Sequence, residues 1–424
     1  MQVQQNPSHL QSFGGINFLN EYLDKIGFRS IVLSTLGHRS LLAKYRYDDL
    51  LRQIFFICSI GGDALDDSNV LREQFSRHPY LRVASADTIE YAFQELRQPT
   101  EQKCTAAAVH HINEHGGFNK MLALLCKTTR LLNHTEGYTM DYDGHIVENT
   151  KGDNAFTYKK TEGYYPVVCS INKLPVYLQN RNGNTPESYG AKDIIEKALE
   201  QCADNNFTIS RFRADACCYQ KELIEYLEQP HLSLQYYIRA EMSEGLLIAL
   251  QDEPDWQEAM LNYQKIQVCS VTETLLGKPR RIVAYRKKVK GQLRIDQPDG
   301  YSYHAILTND DTMDEVQVIE FYNQRGCQGE HHFKELDYDF NWNKLPFDNM
   351  EMNTIYLYAT AVAYLLFNAS KLSYSKKLSF VTTEMRMKSF VLHFITLPAK
   401  WIKTSRRWVL KIFTPKDYSP LWCT

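Results

Sequence analysis

At Gly137 the sequence changes its period, and that change limits what the chain can build. Before it, residues 16–26 (INFLNEYLDKI), 47–60 (YDDLLRQIFFICSI), 87–97 (DTIEYAFQELR) and 105–132 space their apolar residues as helices do. Asp87 with Glu90 three residues on has the pattern of a capping box. The expectation is an all-helical module over residues 1–135. After Gly137 come GYTMDYDGHIVE, TYKKTEGYYPVVCSI and LPVYLQNRNGN, rich in β-branched and aromatic residues and divided by turn residues. ALEQCADNNFTISRFRADACCYQKELIEYLEQ then reads helix, strand, helix, and SLQYYIRA reads as a further strand. Strands alternating with helices predict a mixed α/β sheet with flanking helices, whose sites lie at the carboxyl ends of strands.

Acids occupy such positions. Asp141 and Asp143 are two apart, so on a strand they point to one face. If buried, each is desolvated and repelled by the other unless a cation sits between them or the site is wet. Asp215 falls at the end of a later strand. Further on, VQVIEFYNQRGCQGEHHFKELDYDFNW, from Val316 to Trp342, reads as a helix, with Asp310-Asp311-Thr312 offering an N-cap and Glu315 completing a capping box. Tyr322 and Arg325 share a face of it, whereas Glu330 stands about 80° off that line. A π-bulge near Gly326 or Gly329 would bring it back.

Residues 241–308 interrupt the alternation with QKIQVCSVTETL, KPRRIVAYRKKVKGQLR and YSYHAILTN, which read as antiparallel strands with no long helix between them. Lys278, Arg280, Arg281, Arg286, Lys287, Lys288, Lys290 and Arg294 crowd one hairpin-sized stretch, as a phosphate-facing ribbon or as a lysine-blunted edge strand. The C-terminal region, 351–424, reads as helical and basic, a buried helix over Ile355–Phe367 followed by a basic tail with interleaved Trp.

The net charge of -2 and pI near 6.7 confine any nucleic-acid surface to a local patch. The 44% hydrophobic content is enough for a large core and excludes disorder as a general state. Ten cysteines without a CxxC pair read as reduced and intracellular rather than as disulfides or a zinc knuckle. His110, His111 and His115 lack a cysteine or carboxylate to complete a metal set and read as ordinary helix-surface histidines. The start MQVQQNPSHLQSF lacks the basic and apolar regions of a signal peptide. The longest apolar run is shorter than the roughly 18 residues of a membrane span, so no membrane association is expected.

Three carboxylates on separate elements suit Mg²⁺ or Mn²⁺, which bind through few acids and leave positions open for substrate phosphate. Two ions about 3.5–4 Å apart would clamp the attacking and leaving oxygens of an in-line phosphoryl transfer. The segment FYNQRGCQGEHHFKELDYDFNWNKLPF, with MDYD, TYKK, GYYP, RNGN and RFRAD upstream, resembles the DDE transposases of bacterial insertion sequences. Within these it is most similar to insertion-sequence family thirteen-eighty, the group 1 DDE-domain transposases, over most of the chain. The resemblance implies a ribonuclease-H-like catalytic core over 136–240 and 309–350, with a β-rich basic insertion at 241–308 and DNA-end contacts from the helical module over 1–135.

It further implies Asp143, Asp215 and Glu330 as the catalytic acids and ligands of two Mg²⁺ or Mn²⁺ ions, with Asp141 beside them. Related transposases carry a Tyr-Arg-Glu-Lys signature on the Glu helix, and its Tyr and Arg match Tyr322 and Arg325 as DNA-backbone contacts. Four residues separate Arg325 from Glu330 where the signature has three, and Asp337 stands where its Lys belongs. Lys334, one turn after Glu330, is the remaining basic candidate. Lys159, Lys160, Arg213, Arg281 and Lys287 are further candidates for DNA contact. Tyr158, Tyr164 and Trp342 read as core aromatics.

The implied activity is cut-and-paste transposition in the bacterial cytoplasm, at the nucleoid. Hydrolysis at the element end frees a 3′-hydroxyl that attacks the opposite strand or target DNA, within a homodimer that pairs two terminal inverted repeats. The alternatives are a catalytically inactive DNA-binding derivative and a metal-dependent nuclease without strand transfer.

Overall fold

The computed structural model describes residues 10–106, 108–133, 137–275, 277–289 and 299–422, the side chains of 327–332 excepted. Helices α1 (Gly15–Lys25), α2 (Phe28–Leu36), α3 (Tyr47–Ser59), α4 (Ser68–Gln74) and α5 (Ala86–Leu96) come first. Strands β1 (Glu101–Cys104) and β2 (Val109–Asn113) and helix α6 (Gly116–Thr128) follow. Next are β3 (Tyr138–Gly144), the short β4 (Val147–Glu148), β5 (Ala155–Phe156) and β6 (Glu162–Tyr164), then β7 (Val167–Ile171) and β8 (Leu174–Arg181). Helix α7 (Ala191–Asp204), β9 (Ile209–Ala214), α8 (Lys221–Leu227) and β10 (Gln235–Arg239) complete the alternation. The insertion holds α9 (Glu244–Asp252), β11 (Gln257–Leu261), β12 (Gln264–Leu275), β13 (Lys278–Lys288) and β14 (Tyr301–Thr308). Helices α10 (Glu315–Asp339), α11 (Met350–Ser375) and α12 (Met387–Phe390) lead to a hairpin of β15 (Ala399–Thr404) and β16 (Arg407–Ile412).

One sheet of 11 strands runs β1-β2-β8-β7-β3-β9-β10-β14-β13-β12-β11. Within it β7 runs antiparallel to both of its neighbours, β8 and β3, while β3, β9 and β10 are parallel. That order and polarity is the expected ribonuclease-H-like core. Strands at the centre of such a sheet are covered on both faces, which is why β7 and β8 are buried along their whole length. Helix α11 is buried on nearly every side and packs against α3, α5, α6 and β8, so the expected buried helix is the post that ties the N-terminal layer to the sheet.

Several expectations change. Residues 108–115 are not helical: β1 and β2 pair antiparallel and join the sheet through Ile112 and Asn113 opposite Arg181 and Asn180, so the N-terminal region is not all-helical. The insertion contains a helix, α9, and its strands continue the core sheet, because β14 pairs directly with β10. The basic part of the C-terminal region forms the β15–β16 hairpin rather than a helix, with Trp401 on β15 and Trp408 on β16. Neither predicted capping box forms where it was expected: α5 has none, and that of α10 is built by Asp314 and Gln317. The N-cap of α5 is Ser85, and that of α10 is Asp314, whose side chain accepts from the Gln317 amide. Asp310 instead is buried and accepts from the Thr312 amide and hydroxyl. Helix α10 is α-helical throughout, without the expected π-bulge.

Candidate active site

The parallel register of β3 and β9 sets Asp141 opposite Arg213 and Tyr142 opposite Ala214, so Asp143 and Asp215 leave the sheet side by side at adjacent strand ends. Asp215 caps the short turn Ala216–Cys218, one carboxylate oxygen accepting from the Cys217 amide at 2.9 Å. Burial raises Asp143 above the ordinary carboxylate range; the Arg325 guanidinium opposes this and the Asp215 charge adds to it.

A further acid meets Asp215 from the loop between β8 and α7. One oxygen of Glu187, one of Asp215 and the Cys217 sulfur all lie within 4.8 Å of one another, and no other such group occurs among the described residues. Glu187 is buried, and burial first, then the charges of Asp215 and Asp143, push its carboxyl up to about 7. The Tyr165 hydroxyl donates to Glu187 Oε2 at 3.0 Å, while Oε1 is buried without a hydrogen-bond partner. The RNGN element acts here. Arg181, fully buried, donates to the carbonyls of Pro186 and Glu187 at 2.9 and 3.1 Å, and the Tyr142 hydroxyl donates to the same Glu187 carbonyl at 2.7 Å. A Cβ at Gly144 would stand 3.0 Å from the Glu187 carboxylate, so a side chain there would crowd it.

From α10, Arg325 Nη2 lies 3.1 Å from Asp143 Oδ1 and donates to the Tyr142 carbonyl at 3.0 Å. Although burial opposes its charge, Asp143, Tyr322 and Asp215 hold Arg325 firmly protonated. Tyr322 is half-buried beside it, its phenol pushed up to about 12 by burial. The side chain of Glu330 lies outside the described residues. Asp337, where the signature has a Lys, meets His145 Nε2 at 2.7 Å, and the His145 ring stacks on Phe333 with centroids 4.4 Å apart.

Other candidates go elsewhere. Asp141 and Arg213 form a bidentate pair at 2.7 and 2.9 Å, both buried, so neither carboxylate nor guanidinium faces the cluster or solvent. Arg281 is engaged by the carbonyls of Asp310 and Met313 and by Glu315, fastening the approach to α10. Arg280 is buried in a bidentate pair with Glu228. Since β13 lies between β12 and β14, it is not an edge strand. Lys287 is partly exposed over the Tyr285 ring, while Lys290 and Arg294 lie outside the described residues.

Lys159 and Lys160 stand exposed on the turn before β6, and Lys334 is exposed on α10. Tyr164 and Trp342 are buried as expected, but Tyr158 is 69% exposed and leans on Tyr165 at 5.8 Å. His110 and His115 are buried rather than surface residues; His110 packs on Tyr189 and His115 caps α6.

Glu187 was missed because a lone acid in a turn has no periodicity to mark it. The available signal was its position three residues after RNGN, in the loop that returns to the sheet. The donor set fits a hard divalent cation: carboxylates dominate, and one buried oxygen lacks any partner. The thiol of Cys217 is pushed up by its contact with Cys218 and by burial, so at neutral pH it stays protonated and is a poor ligand.

The family model described as transposase DDE domain group 1 matches residues 1–420. No curated protein matches the chain. Among solved structures, the piggyBac transposase synaptic complex with hairpin DNA, determined by cryo-EM, aligns with a TM-score of 0.44 at 9% identity, covering 89% of this chain and 76% of that one. None of the described helices is long and apolar enough to cross a membrane.

Proposed function

We propose that this chain, which belongs to the transposase DDE domain group 1 family, carries out its chemistry where β3 and β9 end. It is a DNA transposase, an enzyme of DNA cleavage and strand transfer, and its class uses divalent metal ions. The finer reading is that Asp143, Asp215 and Glu330 hold two Mg²⁺ or Mn²⁺ ions. The observation that carries it is the position of Asp143 and Asp215 at the adjacent ends of the neighbouring parallel strands β3 and β9. When bound, the ions supply activation of the attacking oxygen and charge neutralisation at the leaving one. Arg325 fixes the Asp143 carboxylate, and Tyr322 stands beside it on the same helix face. Lys159, Lys160, Lys334 and Lys287 are exposed or partly exposed cations that would meet a DNA backbone.

The substrates would be the terminal inverted repeats of a bacterial insertion sequence, cut and rejoined into target DNA. Because two ends must be joined in one event, the working form would be a homodimer.

Labelled element-end DNA with Mg²⁺ tests the reading. The expected result is nicking followed by a joined product, and Asp215→Asn should abolish both while leaving the gel shift. Retention of DNA without nicking by the wild-type chain would make it an inactive binding derivative, and cleavage without joining would make it a nuclease. Unchanged cleavage by Asp215→Asn would overturn the site.

A further inference from the structure

We propose that Glu187 is a further carboxylate ligand of the metal site, completing it together with Asp143 and Asp215; this rests on the two strand-end acids being the metal site. Two observations independent of any resemblance point there. Its Oε1 is buried, at 5% exposure for the residue, without a hydrogen-bond partner, and the other acid oxygen within reach belongs to Asp215. A buried carboxylate oxygen facing another carboxylate is a costly arrangement that a cation between them removes.

The chain also builds the position with care. Arg181 and the Tyr142 hydroxyl pin the Glu187 carbonyl, the Tyr165 hydroxyl turns Oε2, and Gly144 leaves the room that the carboxylate fills. A glutamate needed only as acceptor for Tyr165 would serve equally as glutamine, without burying a charge beside Asp215. Since Glu187 lies on a loop held by the sheet, it also gives the site an acid that does not depend on α10. That matters because the spacing between Arg325 and the acid of that helix departs from the family signature.

The test is Mn²⁺ binding by the full chain without DNA, read from the electron paramagnetic resonance of free Mn²⁺, together with thermal melting. Glu187→Gln keeps an acceptor for Tyr165 and should weaken Mn²⁺ binding by more than about tenfold, the least that removal of a metal-site group costs. It should leave the metal-free melting temperature unchanged or higher, since a buried repulsion is relieved, whereas a merely structural glutamate would lower it. Asp215→Asn is measured in parallel. If Asp215→Asn loses Mn²⁺ and Glu187→Gln binds as the wild type does, the proposal is overturned and the site reading stands. If neither variant changes binding, the site reading itself has failed. Should Glu187→Gln not fold, Glu187→Asp withdraws the carboxylate by one methylene and keeps its charge; undiminished affinity there would also overturn the proposal.

Discussion

Arg325 Nη2 sits 3.1 Å from Asp143 Oδ1 and 3.0 Å from the Tyr142 carbonyl, so one guanidinium clamps helix α10 onto the end of β3. Both contacts are made by one nitrogen of a long, planar, weakly hydrated guanidinium, whereas lysine carries a compact, strongly hydrated charge on a flexible stem. Arg325→Ala should slow nicking at saturating element-end DNA by about 10²-fold, and Arg325→Lys should recover little of it. Single-turnover rates check this, and a rate close to that of the wild type for either variant would remove Arg325 from the site.

Asp141 and Arg213 are a buried pair that also ties in α10, because Arg213 donates to the Phe321 carbonyl at 2.8 Å. Asp141→Asn strands the guanidinium in the core and should cost about 3–5 kcal/mol in urea unfolding. Mn²⁺ affinity of the folded fraction should not change. Weakened Mn²⁺ binding with intact stability would return Asp141 to the metal site.

Exposure separates the cations that can reach DNA from those that cannot. Substituting Lys159 and Lys160 together by Ala should reduce the slope of log affinity against log salt by about two, roughly 0.9 for each phosphate that is no longer neutralised. Arg280→Lys should leave that slope alone, since Arg280 is buried against Glu228. Gel shifts across a salt series give the slopes, and equal slopes for the lysine variant and wild type would place the DNA elsewhere.

His78 is built to be neutral. Its Nδ1 accepts from the amides of Tyr80 and Leu81 at 3.0 and 2.7 Å, and burial brings its ring down to about 4. The unfolded chain protonates this ring near its ordinary value of 6.5, before the folded one does, so stability present above pH 6.5 is lost as pH falls toward 4. The loss should approach about 3 kcal/mol, and His78→Asn, which keeps an acceptor, should flatten the profile between those pH values. Urea midpoints at neutral pH and near the lower end of that window decide it, and an unchanged difference between them in the variant would sink the idea.

The placement of Asp143 and Asp215 near strand ends was legible, because the strands around them carry β-branched and aromatic residues bounded by turn residues. The fate of Asp141 was not, since its partner Arg213 lies 72 residues away and is set by a parallel register that single strands do not encode. Residues 105–115 looked helical because an alanine run favours a helix locally; pairing with β8 overrode that preference. The density of basic residues in β13 pointed toward phosphate, yet Arg280 and Arg281 are engaged by Glu228, Glu315 and backbone carbonyls, contacts visible only once the sheet is assembled. Glu187 needed three distant residues, Arg181, Tyr142 and Tyr165, to be brought around one turn.

The direct pairing of β14 with β10 gives the sheet a mechanical property. Strand β10 is also the parallel neighbour of β9, so the insertion is a cantilever rooted one strand away from Asp215. A load on its outer ribbon travels through an unbroken ladder of backbone hydrogen bonds, not through a hinge. The insertion and the strand that ends at Asp215 therefore belong to one continuous hydrogen-bonded sheet.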